Sequence, residues 1–223
     1  MTDLLQTSSR LSQCFEKHLL SATNSDIKPA QAHALWQDIA TRYNEKQRAY
    51  HTLRHLQQLF GQFEQIKHKL NEPHIIALAL FYHDVVYDPL RTDNERKSAE
   101  YAAETLRPYL CAEQCEHLYA LIMMTTNHQL TGLSDPDEIN DAAYLLDMDL
   151  SILAAPWPQY ERYAQAVRQE YSHVSLAEYR TGRMAVLNRL LAHPTLYLTC
   201  YYYERLETPA RANIQRELTL LAA

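Results

Sequence analysis

The chain has 223 residues, of which 47% are hydrophobic and only three are glycine. This shortage of glycine excludes all-β folds, a GxGxxG dinucleotide-binding turn and a Walker phosphate loop, because each needs glycine where the backbone turns sharply. The net charge is −6, from 21 Lys and Arg against 27 Asp and Glu, which argues against a nucleic acid polymer as partner. The composition therefore favours a mostly helical protein with one good-sized core.

Helical patterns follow one another along the chain, with no internal repeat or linker between them. The predicted helices lie near 9–22, 29–43, 50–69, 73–87, 94–107, 112–128, 136–150, 157–173, 175–192 and 208–221. Residues 193–207 are left open, as either a short helix or an extended segment. The sequence thus predicts a single all-α domain of roughly ten helices over residues 1–223.

The predicted helix starts rest on prolines and on capping boxes. Proline is favoured in the first turn of a helix, because it needs no hydrogen-bond acceptor there. The prolines used in this way are Pro29, Pro73, Pro136, Pro158 and Pro209. Two capping boxes are also predicted, Thr92-x-x-Glu95 and Ser175-x-x-Glu178.

The sequence shows no pattern typical of a signal peptide or of a membrane-spanning helix. The first residues lack a basic stretch followed by an apolar one, so no signal peptide is expected. The longest strongly apolar run, Ile75 to Tyr82, is far shorter than the roughly 20 residues that cross a bilayer. The four cysteines show no disulfide-framework spacing. We therefore expect a cytoplasmic protein with reduced thiols and no membrane partner.

Histidine and aspartate carry the most informative pattern. In YHTLRHL, His51 and His55 are four residues apart, so a helix over both would present them on one face. In FYHDVVYDP, His83 and Asp84 end an otherwise apolar helix, and burying Asp84 is costly unless something pairs with it. A divalent cation is one such partner.

A second apolar stretch, LLDMDLSIL, carries Asp147 and Asp149. Histidines from one helix, an adjacent His-Asp pair and an aspartate from a later helix would make a mixed nitrogen and oxygen ligand set. Such a set suits Mn²⁺, Fe²⁺, Co²⁺, Ni²⁺ or Zn²⁺ better than Ca²⁺. Mg²⁺ is kept among the candidate ions.

These segments, taken in order, resemble the HD superfamily of metal-dependent phosphohydrolases. YHTLRH, FYHDVVYDP, DNERKSA, LLDMDLSIL and the VRQEY…YRTGR region are similar to a bacterial group of roughly 200-residue predicted HD phosphohydrolases. The similarity runs from about Trp36 to Leu190. It implies an HD-domain-like helical bundle with a metal-site core over about 48–192 and flanking terminal helices.

The resemblance implies a ligand set. The first histidine of the superfamily falls on His51, the doublet on His83 and Asp84, and the last aspartate on Asp149, which precedes a leucine as in the family pattern. His55 remains open as a direct ligand, as a residue that orients His51, or as a core histidine.

Further residues extend that predicted set. Asp147 is a substitute ligand or a residue behind the ligands. His117 and His128 have the order of a second pair of metal ligands in dinuclear HD proteins, with a solvent-facing His117 and a helix-end His128 as the alternative. The predicted catalytic groups are Asp84 and Asp88, the second of which would orient bound water.

Three basic residues are predicted to bind an anionic substrate. They are Lys97, Arg168 and Arg183, and the alternative for the arginines is pairing with Glu170 and other acids. The function implied is hydrolysis of a small phosphate ester, a nucleotide or related metabolite, by metal-activated water. The alternatives are a catalytically silent ligand-binding or regulatory module on the same scaffold, and a dinuclear phosphodiesterase or oxygenase-like protein. A homodimer is possible, with the many tyrosines as one candidate contact.

Overall fold

The computed structural model describes residues 2–23 and 27–223, with side chains from residue 5 onward. Within these residues the chain forms ten α-helices, two short 3₁₀ helices and no β-strand, which confirms the all-α prediction. The α-helices are α1 (Thr2–Ala22), α2 (Pro29–Tyr43), α3 (Leu53–Ile66), α4 (Pro73–Tyr82), α5 (Asn94–Leu106), α6 (Ala112–Met124), α7 (Pro136–Asp149), α8 (Trp157–Glu170), α9 (Leu176–Ala192) and α10 (Cys200–Ala222). The 3₁₀ helices are Lys67–Lys69 and Leu150–Ala154.

The chain divides into two compact units, Met1–Leu145 and Leu146–Ala223. In the first unit α4 packs against α1, α3, α5 and α6. In the second unit α10 packs against α9 and the 3₁₀ helix Leu150–Ala154, which also contacts α8. The single domain over 1–223 stays a prediction.

Among the described residues, no helix is both long and apolar enough to cross a membrane.

Helix α4 is the centre of the first unit. Every residue from Ile75 to Tyr82 is buried, on all faces of the helix. A helix that is apolar all round is stable only when other helices surround it, and four helices do so here. Since α4 ends at Tyr82 and not near residue 87 as predicted, His83 and Asp84 lie just beyond its buried C-terminal end.

A buried carboxylate caps the other end of α4. Asp141, from α7, accepts hydrogen bonds from the backbone N–H groups of Asn71 and Glu72, at 3.0 and 2.7 Å. It also accepts one from the Asn71 side chain at 3.2 Å. These bonds satisfy donors that the start of a helix leaves without partners. Asp141 therefore fixes α4, and with it the residues that follow α4.

Most of the predicted helix starts are confirmed. Pro29, Pro73 and Pro136 each open a helix, and Pro158 lies in the first turn of α8. The Ser175 capping box is confirmed, because the Ser175 hydroxyl accepts from the Glu178 N–H at 3.3 Å and the Glu178 carboxylate from the Ser175 N–H at 3.0 Å.

Two of the predicted start signals are wrong, although α5 itself begins at Asn94 as predicted, and α1 and α3 begin at Thr2 and Leu53, not near residues 9 and 50. Pro209 lies inside α10, whose cap is Thr199, ten residues earlier in the chain. An internal proline removes one backbone hydrogen bond, and burial of α10 side chains such as Ala210 and Ile214 compensates for that loss. Thr92 does not cap α5, because that helix begins at Asn94 with Asp93 at the cap position.

A buried histidine pair in the first unit gives the fold a pH dependence. His18 Nδ1 lies 3.0 Å from His74 Nδ1, and no described residue offers a hydrogen bond to His18 Nε2. Burial, reinforced by the charge of His74, lowers the pKa of His18 from 6.5 to about 4. The unfolded chain therefore binds more protons than the folded chain between these values, and stability falls as the pH falls through them.

We expect the free energy of unfolding to decrease between pH 7 and pH 4 by about 3 kcal/mol more in the wild type than in His18→Leu, since one pKa unit corresponds to about 1.36 kcal/mol. Urea unfolding at a series of pH values measures this difference. The control is His68→Gln, which removes an exposed histidine of the same unit and tests whether the loss of any histidine has the same effect. Equal pH dependence in the wild type and His18→Leu would contradict the prediction.

Candidate metal centre

Three potential ligands converge beyond the C-terminal end of α4. His55, His83 and Asp84 each offer a ligand atom, and these atoms lie within 4.8 Å of one another. His83 Nε2 is 3.2 Å from His55 Nε2 and 3.0 Å from Asp84 Oδ2. The remaining pair, His55 Nε2 and Asp84 Oδ2, is 3.7 Å apart. We refer to these three residues as the ligand cluster.

His51 lies beside the ligand cluster. Its Nε2 is 3.9 Å from Asp84 Oδ2, and its ring centroid is 5.9 Å from that of His55. The predicted helix over both histidines is wrong, because α3 begins at Leu53 with Thr52 as its cap. His51 instead lies in the bend that precedes the cap, and this bend places it beside the cluster. His51 is the first histidine of the predicted ligand set.

The donor atoms of the cluster are suited to a positive species between its members. His83 Nδ1 lies 2.9 Å from the Leu80 carbonyl oxygen. A carbonyl only accepts, so Nδ1 carries a proton, and Nε2 faces the cluster, where a neutral ring would present a lone pair. That lone pair meets an imidazole nitrogen and a carboxylate oxygen. One proton satisfies one of these contacts, whereas a metal ion satisfies all of them.

Two of the three distances in the cluster also fit a shared ion, whereas the 3.7 Å between His55 Nε2 and Asp84 Oδ2 would need a wider angle at the ion. Two ligand atoms bound at about 2.1 Å, with an angle near 90–110° between them, lie roughly 3.0–3.4 Å apart. The contacts of His83 Nε2, at 3.0 and 3.2 Å, fall in this range. The Leu80 contact is of the kind that a metal-bound histidine usually makes through its other ring nitrogen.

Burial divides the site into a closed side and an open side. The His55 and His83 side chains are each only 3% exposed. The Asp84 and His51 side chains are 16% and 21% exposed. Solvent therefore reaches the site from the side of His51 and Asp84, which is where an exchangeable ligand would enter.

Aromatic rings hold His51. The ring of Tyr87 lies 4.2 Å from that of His51, at an interplanar angle of 30°. The ring of Tyr50 contacts His51 and His55 at 5.0 and 4.9 Å. Neither tyrosine has a predicted role, although Tyr50 directly precedes His51 and Tyr87 follows Asp84 by three residues. Such adjacency was the one available signal, and it is weak in a chain with 16 tyrosines.

Asp147 has partners of its own in the second unit. Its carboxylate accepts from the Leu198 N–H at 2.7 Å, from the Thr199 N–H at 2.8 Å and from the Thr199 hydroxyl at 2.7 Å. Burial raises its pKa from 3.8 to about 6 despite these donors. The contacts fasten the start of α10, which gives Asp147 a structural role. Asp149 ends α7, and its role as last ligand stays a prediction.

His117 is not brought to the ligand cluster. Its Nδ1 lies 3.1 Å from the Glu72 carboxylate, at the N-terminal end of α4. The cluster lies beyond the other end of α4, and eleven residues of helix correspond to a rise of roughly 16 Å. Two metals in one centre are only about 4 Å apart, so this placement of His117 argues against the dinuclear alternative.

His128 follows α6 in the left-handed backbone region, with φ of 54°. Its N–H donates to the Met124 carbonyl at 2.9 Å, which closes the helix end as in the alternative given above. A role for its side chain at the site stays a prediction.

The residues predicted to act on the substrate lie in varied settings. Asp88 Oδ1 accepts from the Leu90 N–H at 2.9 Å, in the loop after the ligand cluster. The Lys97 ammonium lies 2.8 Å from the Glu100 carboxylate, on a half-exposed surface. Arg168 donates to the carbonyls of Tyr171 and Val174.

Arg183 is buried in an ion network of the second unit. Its guanidinium makes two contacts with the Glu217 carboxylate, at 2.8 and 3.0 Å. It also donates to the Tyr163 hydroxyl at 3.3 Å, and Tyr160 donates to Glu217 at 2.5 Å. These pairings give Arg168 and Arg183 structural roles within their own unit. We therefore assign neither of them a role in substrate binding.

Comparison with protein-family models and with curated proteins found no match to this chain. The likeness to the HD superfamily accordingly stays a prediction from the sequence segments.

Proposed function

We propose that the chain is a metal-dependent hydrolase whose divalent ion is held by His55, His83 and Asp84, with His51 as the fourth ligand from this unit. The observation that carries the proposal is the convergence of two imidazoles and one carboxylate beyond α4, with the imidazole of His51 3.9 Å from the same carboxylate. A nitrogen-rich set of this kind favours Zn²⁺, Co²⁺, Ni²⁺ or Fe²⁺ over Mg²⁺.

A divalent metal in such a site lowers the pKa of coordinated water toward neutrality and polarises a phosphate oxygen. The chain supplies the surroundings for this chemistry. His55 and His83 form the closed wall, and the Leu80 carbonyl fixes the tautomer and orientation of His83. His51 and Asp84 form the rim through which water and substrate enter.

The proposed substrate is a small phosphate ester, a nucleotide or a related metabolite, and the resemblance to HD phosphohydrolases supports this choice. Lys97 is the cation that we propose for the phosphate. Its neighbour Ser98 is hydrogen-bonded to both backbone groups of Val86, two residues after Asp84, at 3.1 and 3.2 Å. The ion pair of Lys97 with Glu100 lies at the surface, where such pairs contribute at most about 1 kcal/mol, so it can yield to a phosphate.

Phosphate release from p-nitrophenyl phosphate and from nucleoside monophosphates tests this proposal. The protein is first stripped with a chelator and then supplied separately with Mn²⁺, Co²⁺, Ni²⁺, Zn²⁺ or Mg²⁺. We expect hydrolysis that depends on one or more of these ions. His83→Ala should reduce the rate by about 10²-fold or more, since metal activation supplies several kcal/mol and each 1.36 kcal/mol is tenfold.

His68→Ala is the matched control, because His68 is an exposed histidine of the same unit. Its rate should equal that of the wild type. Tight metal binding without hydrolysis of any of these esters would instead favour the catalytically silent module.

A further inference from the structure

Arg48 joins the two segments that carry the proposed ligands. Its Nη1 donates to the His51 carbonyl at 3.1 Å and to the Asp84 carbonyl at 2.7 Å. Its Nη2 donates to the Val85 carbonyl at 3.0 Å, and its Nε to the Glu45 carboxylate at 3.1 Å. The Arg48 side chain is fully buried. We call this set of contacts the Arg48 clamp.

The clamp uses a property that only arginine has. A guanidinium presents five N–H groups in one rigid plane, so a single side chain can serve several acceptors at fixed angles. Buried carbonyls need donors, and those of Asp84 and Val85 lie beyond the last turn of α4, where a cation is also favoured by the helix dipole. The His51 segment, more than thirty residues earlier, shares the same donor.

Two tyrosines flank the clamp. The guanidinium carbon lies 4.9 Å from the ring centroid of Tyr43 and 5.4 Å from that of Tyr87. Tyr87 is also the residue whose ring stacks on His51. One buried cation therefore contacts the backbone of two proposed ligands and the aromatic ring that holds one of them.

We propose that Arg48 is a positioning residue for the metal centre, holding the main chains of His51 and Asp84 at the separation that lets their side chains share one ion. This inference rests on the proposed metal site. Arg48 acts through the backbone and does not touch the ion. Its positioning matters because a ligand cluster works only when its members are held to within about 0.5 Å.

The second unit contains a matched arginine. Arg211 donates to the carbonyls of Leu191, His193 and Pro194 at 3.1, 2.8 and 3.1 Å. It also pairs with the Glu207 carboxylate at 2.6 Å. Three carbonyls and one carboxylate are the same set of partners that Arg48 has. The Arg211 side chain is 32% exposed and that of Arg48 is fully buried, so Arg211 shows whether the loss of contacts of the same kind, away from the ligand cluster, changes metal binding.

The test compares Arg48→Met, Arg48→Lys and Arg211→Met in the full chain. Calorimetric titration with Co²⁺ and with Zn²⁺ measures affinity, and the visible spectrum of bound Co²⁺ reports ligand geometry. Both readouts are taken at a temperature where circular dichroism shows each metal-free protein folded. We expect about 10- to 100-fold weaker binding for both Arg48 variants, the usual effect of losing an outer partner of a metal ligand, together with a changed Co²⁺ spectrum.

Arg211→Met should bind metal within about twofold of the wild type, even if its thermal stability falls. Arg48→Lys keeps the charge but not the planar set of donors. If Arg48→Met does not fold, the metal affinity and Co²⁺ spectrum of Arg48→Lys test the positioning role. Wild-type affinity and spectrum in a folded Arg48 variant would overturn the positioning role and leave the metal site standing. Failure of the wild type to bind any metal would overturn both proposals.

Discussion

Asp84→Ala is expected to weaken binding of Co²⁺ or Zn²⁺ by more than about 100-fold, because loss of a mere outer partner of a ligand already costs roughly 10- to 100-fold. Asp84 Oδ2 is the atom that lies near all three imidazoles, at 3.0, 3.7 and 3.9 Å from their Nε2 atoms. Titration of the chelator-treated protein measures the change.

The helices should survive the same substitution. Asp84 follows α4 and caps no helix, and its backbone carbonyl, which receives the Arg48 bond, is retained in the variant. The far-ultraviolet circular dichroism of Asp84→Ala should therefore match that of the wild type. Asp93→Ala is the control, since Asp93 pairs at the surface with Arg91 and Arg96 and should not affect metal binding. Undiminished binding in Asp84→Ala would contradict the assignment of the ligands.

Glu217→Leu is expected to lower the free energy of unfolding by about 3–5 kcal/mol, because it leaves the buried charge of Arg183 without its partner. Both side chains are less than 10% exposed, at 8% for Arg183 and 7% for Glu217. For a chain of this size each kcal/mol lowers the melting temperature by about 2–4 °C, so the expected shift is on the order of 10 °C. Differential scanning calorimetry measures it.

The double variant Arg183→Met/Glu217→Leu separates a structural role from a catalytic one. Replacing both members of a buried ion pair with apolar residues is often neutral for stability, so we expect the double variant to regain most of the loss. Its phosphate-ester hydrolysis should equal that of the wild type. A double variant that is stable but inactive would instead support the substrate-binding role that the sequence predicts for Arg183.

The helices could be predicted because their signals are local. Proline in the first turn and the apolar run of α4 both act within a few residues, and the structure confirms them at Pro73 and Ile75–Tyr82. Pro209 misled the prediction, since the start of α10 depends on tertiary packing and on the Thr199 cap. The three-residue error at the start of α3 has a local cause, because Thr52, an ordinary cap residue, follows His51 directly.

Part of the candidate site was also predictable. A charged Asp84 after a wholly apolar helix demands a partner, and that argument identified the His83-Asp84 pair before any fold was known. The choice among His55, Asp147 and Asp149 was different, since all of them are polar groups in apolar settings. Only the fold shows that Asp147 is engaged by Leu198 and Thr199, fifty residues later.

Arg48 could not be predicted at all. Nothing in KQRAYH distinguishes it from an exposed arginine, and its partners at Asp84 and Val85 come near only once α4 is in place. The role of Arg183 depends in the same way on the carboxylate of Glu217, which lies 34 residues later in the chain. Residues that act through the main chain of other segments leave no local pattern.

A crystal structure of the wild type grown with Zn²⁺ or Co²⁺, with anomalous data collected at the edge of that metal, tests the central claim most directly. We predict one anomalous peak within about 2.0–2.2 Å of Nε2 of His51, His55 and His83 and of the Asp84 carboxylate. The same map shows whether Asp149 is a ligand. A peak elsewhere, or none at a saturating metal concentration, would contradict the metal centre proposed for this chain.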